Sequence, residues 1–332
     1  MKKTAHQRTL ERHPRPLGGD TARSSLGSSS ISLTGMVLDN DQGSQEVKIG
    51  KKPDWLRARM AGGEAYLNLK ALLEKHNLHT VCQEASCPNM GECWGRGTAT
   101  IMILGDTCTR NCGFCNVKTG KPLPVDHDEP RRVAEVLSQV GLTHVVITSV
   151  DRDDLPDGGA SIWAATIEET HKLCPEMSVE VLVGDFKGVE KDIATVCDAK
   201  PEIISHNLET VKRMHPAVRP QAQYERSLGV LKQFKESGLV TKTGIMLGIG
   251  EKEDEVYQLL DDVREWSDCD ILTIGQYLQP TRNHLPIERW AHPDEFLRLK
   301  EAALERGFKV CESGPLVRSS YRAEEQAQKL SR

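Results

Sequence analysis

The sequence predicts an α/β fold, a partial (β/α)6 TIM-like barrel with N- and C-terminal extensions. Three observations lead there. From residue 99 onward, short β-branched or apolar runs alternate with stretches of helical periodicity. Six such runs are each followed by a helix or a helix-like crossover, the pattern of a parallel sheet with right-handed connections. Six units suit an open barrel better than a closed eight-stranded one, which takes about 250 residues. A doubly wound flat sheet would show the same alternation, and periodicity does not separate the two.

The chain in order divides into a tail over residues 1–50, an extension over 51–98, the barrel core over 99–290 and a C-terminal helix and tail over 291–332. The first part is rich in Gly, Ser and charge, with the run Ser28-Ser29-Ser30, and reads as flexible. Residues 64–75 place Tyr66, Leu69, Leu72 and Leu73 on one helical face. The six strands are expected over 100–104, 143–148, 179–183, 202–205, 243–247 and 270–274. Helices are expected over 129–139, 162–172, 189–198, 224–237, 253–266 and 291–306, and a further short strand over 308–311.

Bulk properties narrow the function. The chain has 332 residues, 38% of them hydrophobic, enough for a sizeable core. A net charge of −5 gives no reason to expect a nucleic-acid partner. No apolar run reaches the ~18 residues of a membrane helix, and the start lacks the apolar stretch of a secretory signal. Arg and Ser occur early, as in a mitochondrial presequence, but Glu11 and Asp20 run against one. The expected compartment is the cytoplasm, with the mitochondrial matrix as the alternative. Ten cysteines in a reducing compartment argue for metal or cluster chemistry over disulfides.

Those cysteines are not scattered. Cys108, Cys112 and Cys115 fall within eight residues, directly after the first strand and the turn Gly105-Asp106. Three thiolates on one loop suit a soft metal or an iron–sulfur cluster. Three ligands on a four-iron cube leave one iron free to hold something else. A second triad, Cys82, Cys87 and Cys93, precedes it on a loop rich in Pro, Gly and Asn. A zinc site completed by a remote fourth ligand is the alternative for each triad, although their closeness favours two clusters. Cys174, Cys197, Cys269 and Cys311 stand alone in apolar or helical surroundings and read as inert.

In parallel sheets ligands bind at the carboxyl ends of the strands. Besides the cysteines, that rim carries Thr148 to Asp154, His206-Asn207, Gly244 to Glu251 and Gln276 to Thr281. Each has a plain reading. Asp151 to Asp154 would make a solvated turn, Gly248 and Gly250 would allow positive φ, and His206 would be a hydrogen-bonded core imidazole. Their shared placement is what points to a site.

The spacing C-x3-C-x-aromatic-C, with Phe114 as the aromatic, resembles the signature of the radical S-adenosylmethionine (SAM) enzymes. Within them, the two triads together with Arg318-Ser319-Ser320-Tyr321 resemble the lipoyl synthase family, from about residue 52 to 321. The resemblance implies that Cys108, Cys112 and Cys115 hold a [4Fe–4S] cluster that binds SAM and splits it to a 5′-deoxyadenosyl radical. It implies that Cys82, Cys87 and Cys93 hold an auxiliary [4Fe–4S] cluster, completed by a serine of the C-terminal motif, Ser320 in preference to Ser319. It implies SAM contacts at Phe114, Thr148, Ser149, Asp151, Met246 and Gly248, and a weaker one at Glu180. The implied reaction inserts two sulfurs into an octanoyl chain on a lysine. The implied partners are octanoylated lipoyl domains of 2-oxoacid dehydrogenase complexes or the glycine cleavage H protein, a reductant such as ferredoxin or flavodoxin, and a cluster-repair carrier. No side chain is expected to act as a proton-transfer catalyst.

Overall fold

The computed structural model describes residues 50–57, 64–76, 78–85, 87–95, 100–140 and 142–330. The expected flexible tail lies, except for Gly50, outside the described residues. Helix α1 (Glu64–Lys75) precedes the two-residue strand β1 (His79–Thr80) and the short helices α2 (Val81–Glu84) and α3 (Met90–Gly95). Strand β2 (Thr100–Ile103) leads into two-residue strands β3 (Thr107–Cys108) and β4 (Lys118–Thr119), then α4 (Glu129–Val140). Next come β5 (His144–Ser149), α5 (Ala160–Leu173), β6 (Ser178–Leu182), α6 (Glu190–Asp198), β7 (Ile203–Ser205), α7 (His215–Val218) and α8 (Tyr224–Glu236). The chain closes with β8 (Val240–Leu247), α9 (Glu253–Ser267), β9 (Ile271–Gln276), α10 (Pro293–Glu305), β10 (Val310–Ser313) and α11 (Ala323–Leu330).

Seven parallel strands lie side by side in sequence order, β2-β5-β6-β7-β8-β9-β10, with β1 added antiparallel at one edge. A doubly wound sheet would reverse direction partway. Here it never does, so right-handed crossovers put every connecting helix on one outer face. The open barrel expected from sequence is therefore correct, with β10 as a seventh strand. The helices follow from their apolar spacing: Val256, Leu259, Leu260 and Val263 are the buried stripe of α9, and Ile162, Trp163, Thr166 and Ile167 that of α5.

Five elements, α2, α3, β3, β4 and α11, were among those not legible in the sequence. The loop of Cys82, Cys87 and Cys93 contains α2 and α3. Thr80 starts α2 by accepting a hydrogen bond from the Gln83 backbone N–H through its hydroxyl. Strands β3 and β4 clasp the loop of Cys108, Cys112 and Cys115 at its base. Helix α11 stands at the other end of the barrel. Its Ala327 and Leu330 pack on Ile203, Val240, Ile271 and Val310, the first residues of β7, β8, β9 and β10.

The strand register defines what faces inward. Met102, Thr148, Leu182, Ser205 and Lys242 lie in one row across β2, β5, β6, β7 and β8. Glu180 sits one step below Leu182, and its Oε1 accepts a 2.7 Å hydrogen bond from Lys242 Nζ. His144 Nε2 lies 3.6 Å from its other oxygen. Burial alone would raise this carboxyl, but Lys242 and His144 overcome it and hold it low.

The C-terminal segment also lies inside the barrel. Gly275, on the inner face of β9, has no side chain because a Cβ there would come within 2.1 Å of the Val317 carbonyl oxygen. Gly244 on β8 is bare for a similar reason, with Asn207 Oδ1 at 2.9 Å from its would-be Cβ. From this lining the segment runs to α11.

Because Glu180 and Lys242 are both within 1% of full burial, removing one strands the other. Lys242→Met should cost about 3–5 kcal/mol in urea unfolding, and adding Glu180→Leu should recover most of it. Equal stability of Lys242→Met and the parent would show that the pair contributes nothing.

Candidate functional site

A cavity of about 200 Å3 opens at the carboxyl ends of the strands. Its wall takes Cys108, Cys112, Phe114 and Cys115 from the loop after β2, and Thr148, Ser149 and Asp151 from the end of β5. Leu182 to Gly184 follow β6, and His206, Asn207 and Glu209 follow β7. Arg219 and Val81 complete it.

The cysteine loop is held by a buried arginine. Arg110 Nε donates to Asp153 at 2.8 Å and its second nitrogen to Asp185 at 2.6 Å, while Asp185 also meets Arg226 Nε at 2.9 Å. Burial would raise the Asp185 carboxyl, but the Arg110 guanidinium and then Arg226 hold it below the usual carboxylate range. The loop is also sewn to its neighbours by backbone. Thr109 N–H donates to Asp151 O, Gly113 N–H to Val218 O, and Leu285 N–H to Gly113 O. His284 Nε2 donates to Cys115 O at 2.9 Å. Cys108 Sγ accepts the backbone N–H groups of Arg110 and Asp151 at 3.4 and 3.3 Å.

Burial pushes the Cys112 thiol up to about 12 and the Cys115 thiol up to about 11. A soft metal must therefore displace their protons, and ligation is coupled to proton release. Asp151 reaches over Gly184, where a Cβ would lie 2.3 Å from its Oδ1. Its carboxyl is raised by burial, with Arg110 opposing.

The remaining wall is polar. His206 donates from Nδ1 to Val183 O and accepts the Ser227 hydroxyl at Nε2, so both ring nitrogens are used. Burial, and then the charge of Arg219, lowers it to about 3. It is the hydrogen-bonded neutral imidazole of the plain reading. Asn207 Nδ2 donates to Glu209 and to Ser319 Oγ, while its buried Oδ1 has no partner. Arg219, 7% exposed, donates to Asn207 O at 2.6 Å and has no carboxylate within ion-pair distance among the described residues. No sequence motif singled out Arg219 or Glu209. Their approach depends on the course of the chain between β7 and α8.

A second, smaller cavity gathers Cys82, Cys87 and Cys93 with Asn89, Thr100, Arg318, Ser320 and Tyr321. Thr100 Oγ1 donates to Ser320 Oγ at 2.8 Å, and Asn89 Nδ2 to Leu316 O at 2.6 Å. Burial, and then the neighbouring Cys87 and Cys82, pushes the Cys93 thiol up to about 12. Among the described residues no three His, Cys, Asp or Glu side chains converge on a single ion-sized point. The donor set of each cavity, three sulfurs spread around a space, fits a cluster. Neighbouring residues serve the two cavities: Val81 lines one and Cys82 the other, while Ser319 bonds Asn207 and Ser320 bonds Thr100.

The structure thus brings Phe114, Thr148, Ser149 and Asp151 to the larger cavity with its three cysteines, and Ser320 to the smaller one. Three expected SAM contacts are not on that wall. Glu180 is beneath it, engaged by Lys242. Met246 is behind Phe114 in an apolar cluster with Leu285 and Tyr277. Gly248 has φ +98, the positive φ of the plain reading, and a Cβ there would lie 2.2 Å from Gln276 Nε2 and 2.5 Å from Arg289 O.

Comparison with known proteins agrees with this geometry. Residues 102–263 match the Radical SAM superfamily, and residues 34–87 match the N-terminal domain of lipoyl synthase of that family. A lipoyl synthase of Flavobacterium johnsoniae is 52% identical over 82% of this chain and 95% of its own length. That of Rubrobacter xylanophilus is 55% identical over 85% and 88%. A mitochondrial lipoyl synthase of Nematostella vectensis is 52% identical over 82% and 94%. Among solved structures, Streptococcus suis SuiB bound to S-adenosylmethionine superposes with a TM-score of 0.52 at 12% identity, covering 68% of this chain and 54% of that one, a likeness of fold. At this identity over nearly the whole of its relatives, the chain belongs to the lipoyl synthase family of radical SAM enzymes, which work with S-adenosylmethionine and a [4Fe–4S] cluster.

Proposed function

We propose that the chain inserts sulfur at C6 and C8 of an octanoyl group amide-linked to a lysine of a lipoyl carrier domain, using two separate [4Fe–4S] centres. The observation that carries this reading is the pair of cavities, each with its own cysteine triad, lined at one point by the neighbouring residues Val81 and Cys82. Cys108, Cys112 and Cys115 hold the SAM-binding centre, and Cys82, Cys87, Cys93 and Ser320 the auxiliary one. Bound there, the first centre and SAM supply a 5′-deoxyadenosyl radical to remove hydrogen, and the second supplies the sulfur.

The rest falls to the chain's own side chains. Phe114 offers a flat apolar face for the adenine. Thr148, Ser149, Asp151 and the unpartnered Asn207 Oδ1 offer hydrogen bonds to the polar ends of the cofactor. Arg219, a buried guanidinium without a carboxylate, suits the methionyl carboxylate. Val81, Met102 and Leu182 give the cavity an apolar side toward the auxiliary cysteines, suited to an alkyl chain. The C-terminal segment inside the barrel and the 277–287 strap over the cysteine loop keep water from this space.

The geometry favours Ser320 over Ser319 as the auxiliary ligand. Ser320 lines the smaller cavity, whereas the Ser319 hydroxyl is held by Asn207 on the other side of the wall. A serine oxygen is a harder and weaker partner for iron than thiolate, fitting a centre that gives up its sulfur. The carriers are proposed to be lipoyl domains of 2-oxoacid dehydrogenases or the glycine cleavage H protein, with a ferredoxin or flavodoxin as reductant and a carrier that rebuilds the spent cluster. Among the described residues no helix is long and apolar enough to cross a membrane. The cytoplasm is proposed as the compartment, with the mitochondrial matrix as the alternative.

Three tests follow from the division of labour. Anaerobically reconstituted protein should carry about eight irons, and Cys82→Ala about four. That variant should still release deoxyadenosine but add no sulfur to an octanoyl peptide by mass spectrometry, and a thiolated product from it would refute the assignment. Ser320→Ala should lose auxiliary iron faster than Ser319→Ala in a chelator challenge, and the reverse order would transfer the ligand role to Ser319. Gly275→Val, which pushes on the Val317 carbonyl, should lower auxiliary iron while leaving deoxyadenosine formation intact. Full auxiliary iron in that variant would show that the seating of the segment does not matter.

A further inference from the structure

We infer that Arg318 is a positioning residue of the auxiliary centre, a guanidinium set into the cavity wall to offset the negative charge of the cluster held by Cys82, Cys87, Cys93 and Ser320. The inference rests on the two-centre reading above.

Arg318 lines the smaller cavity beside the cysteines. Its NH1 donates to the Val317 carbonyl at 2.6 Å, and no carboxylate lies within ion-pair distance among the described residues. Arg219 shares this lack of an ion pair, whereas the two arginines most removed from solvent are paired within the fold. Arg110 has Asp185 at 2.6 Å, and Arg152 has Asp154 at 2.9 Å. Arg318 is half-buried, and a cation partly withdrawn from water without an ion-pair partner favours an anion placed beside it. The groups on which its charge acts are Cys87 and Glu209. Glu209 already receives Asn207 and lies in the field of Arg219. That leaves the sulfur side of the wall in need of the cation.

The donor set there is anionic once metal binds. A cubane held by three thiolates and one serine alkoxide is formally dianionic, and each added electron increases the charge. A neighbouring guanidinium lowers the cost of assembling such a group and favours its reduced state. The backbone makes room for it. Arg318 NH1 lies 3.2 Å from the would-be Cβ of Gly275, so any side chain at that position would push the guanidinium aside.

The test compares full-length parent, Arg318→Gln and Arg318→Lys, each reconstituted anaerobically. Parent protein with only about four irons would remove the two-centre reading itself, before any Arg318 variant is assessed. With eight present, Arg318→Gln should release auxiliary iron to a ferrous chelator at least about tenfold faster, as expected when a desolvated charge loses its partner. The auxiliary phase is identified as the one missing from Cys82→Ala. Arg318→Lys should restore most of the difference. The auxiliary midpoint in an EPR-monitored redox titration should move to more negative potential in Arg318→Gln, while the SAM-binding centre keeps its signal. If Arg318→Gln fails to take up the second cluster and Arg318→Lys succeeds, the need for a cation is shown directly. Parent-like iron release and midpoint in Arg318→Gln would overturn the inference.

Discussion

Two missing side chains, at Gly244 and Gly275, decide how this barrel can be used. Both lie on inner faces, of β8 and β9, where a barrel of this size is ordinarily filled by branched residues. Bare Gly275 admits the chain's own 314–322 segment, whose Val317 carbonyl sits where its Cβ would be, and bare Gly244 makes room for Thr273 and for Asn207, which bonds Ser319 of that segment. Everything particular to this molecule depends on that substitution of backbone for side chain. The segment divides the interior, presents Ser319 to one cavity and Ser320 to the other, and continues into α11, which covers the starts of four strands.

The ladder from β2 to β10 was legible because buried parallel strands are written as short apolar runs and their helices as amphipathic stripes. The cysteines were legible because metal chemistry needs a particular atom at a particular spacing. What was hidden depended on contacts distant in sequence. Nothing local marks Arg219 or Glu209 as wall residues, and nothing local places Glu180 below the cavity. That last misreading has a physical cause. A carboxylate in a strand interior looks functional until its partner is found, and Lys242 is two strands and 62 residues away. The short helices α2 and α3 were hidden for another reason: caps and tertiary contacts, more than propensity, sustain helices of this length.

The two triads are anchored in different ways, and the difference matches their tasks. The loop of Cys108, Cys112 and Cys115 is tied by the Arg110 clamp, the β3–β4 ladder and backbone bonds to three other segments. Such a scaffold holds its shape over repeated turnovers. The loop of Cys82, Cys87 and Cys93 is tied chiefly to the C-terminal segment, through Asn89 to Leu316 and through Tyr321 to Glu92. Its closing element is a chain bonded to β9, by Gly314 N–H to Ile274 O and by Gln276 N–H to Pro315 O.

The distribution of positive charge carries the same division. Each cavity has on its wall a guanidinium with no carboxylate at ion-pair distance among the described residues, Arg219 in the larger and Arg318 in the smaller. Elsewhere in the core the buried charges are paired within the fold, as Lys242 is with Glu180 and Arg110 with Asp185. Arg219 and Arg318 have no carboxylate at ion-pair distance among the described residues, although Glu209 lies in the field of both, which leaves each guanidinium free to meet an anion brought into its cavity. Arg219 faces the space open to a small zwitterion, and Arg318 faces a cage of thiols that becomes anionic only when metal enters. Binding at either place therefore relieves a desolvated cation. Asn207 bonds both Glu209 and Ser319, so on the side of the larger cavity the C-terminal segment is held through a single side chain.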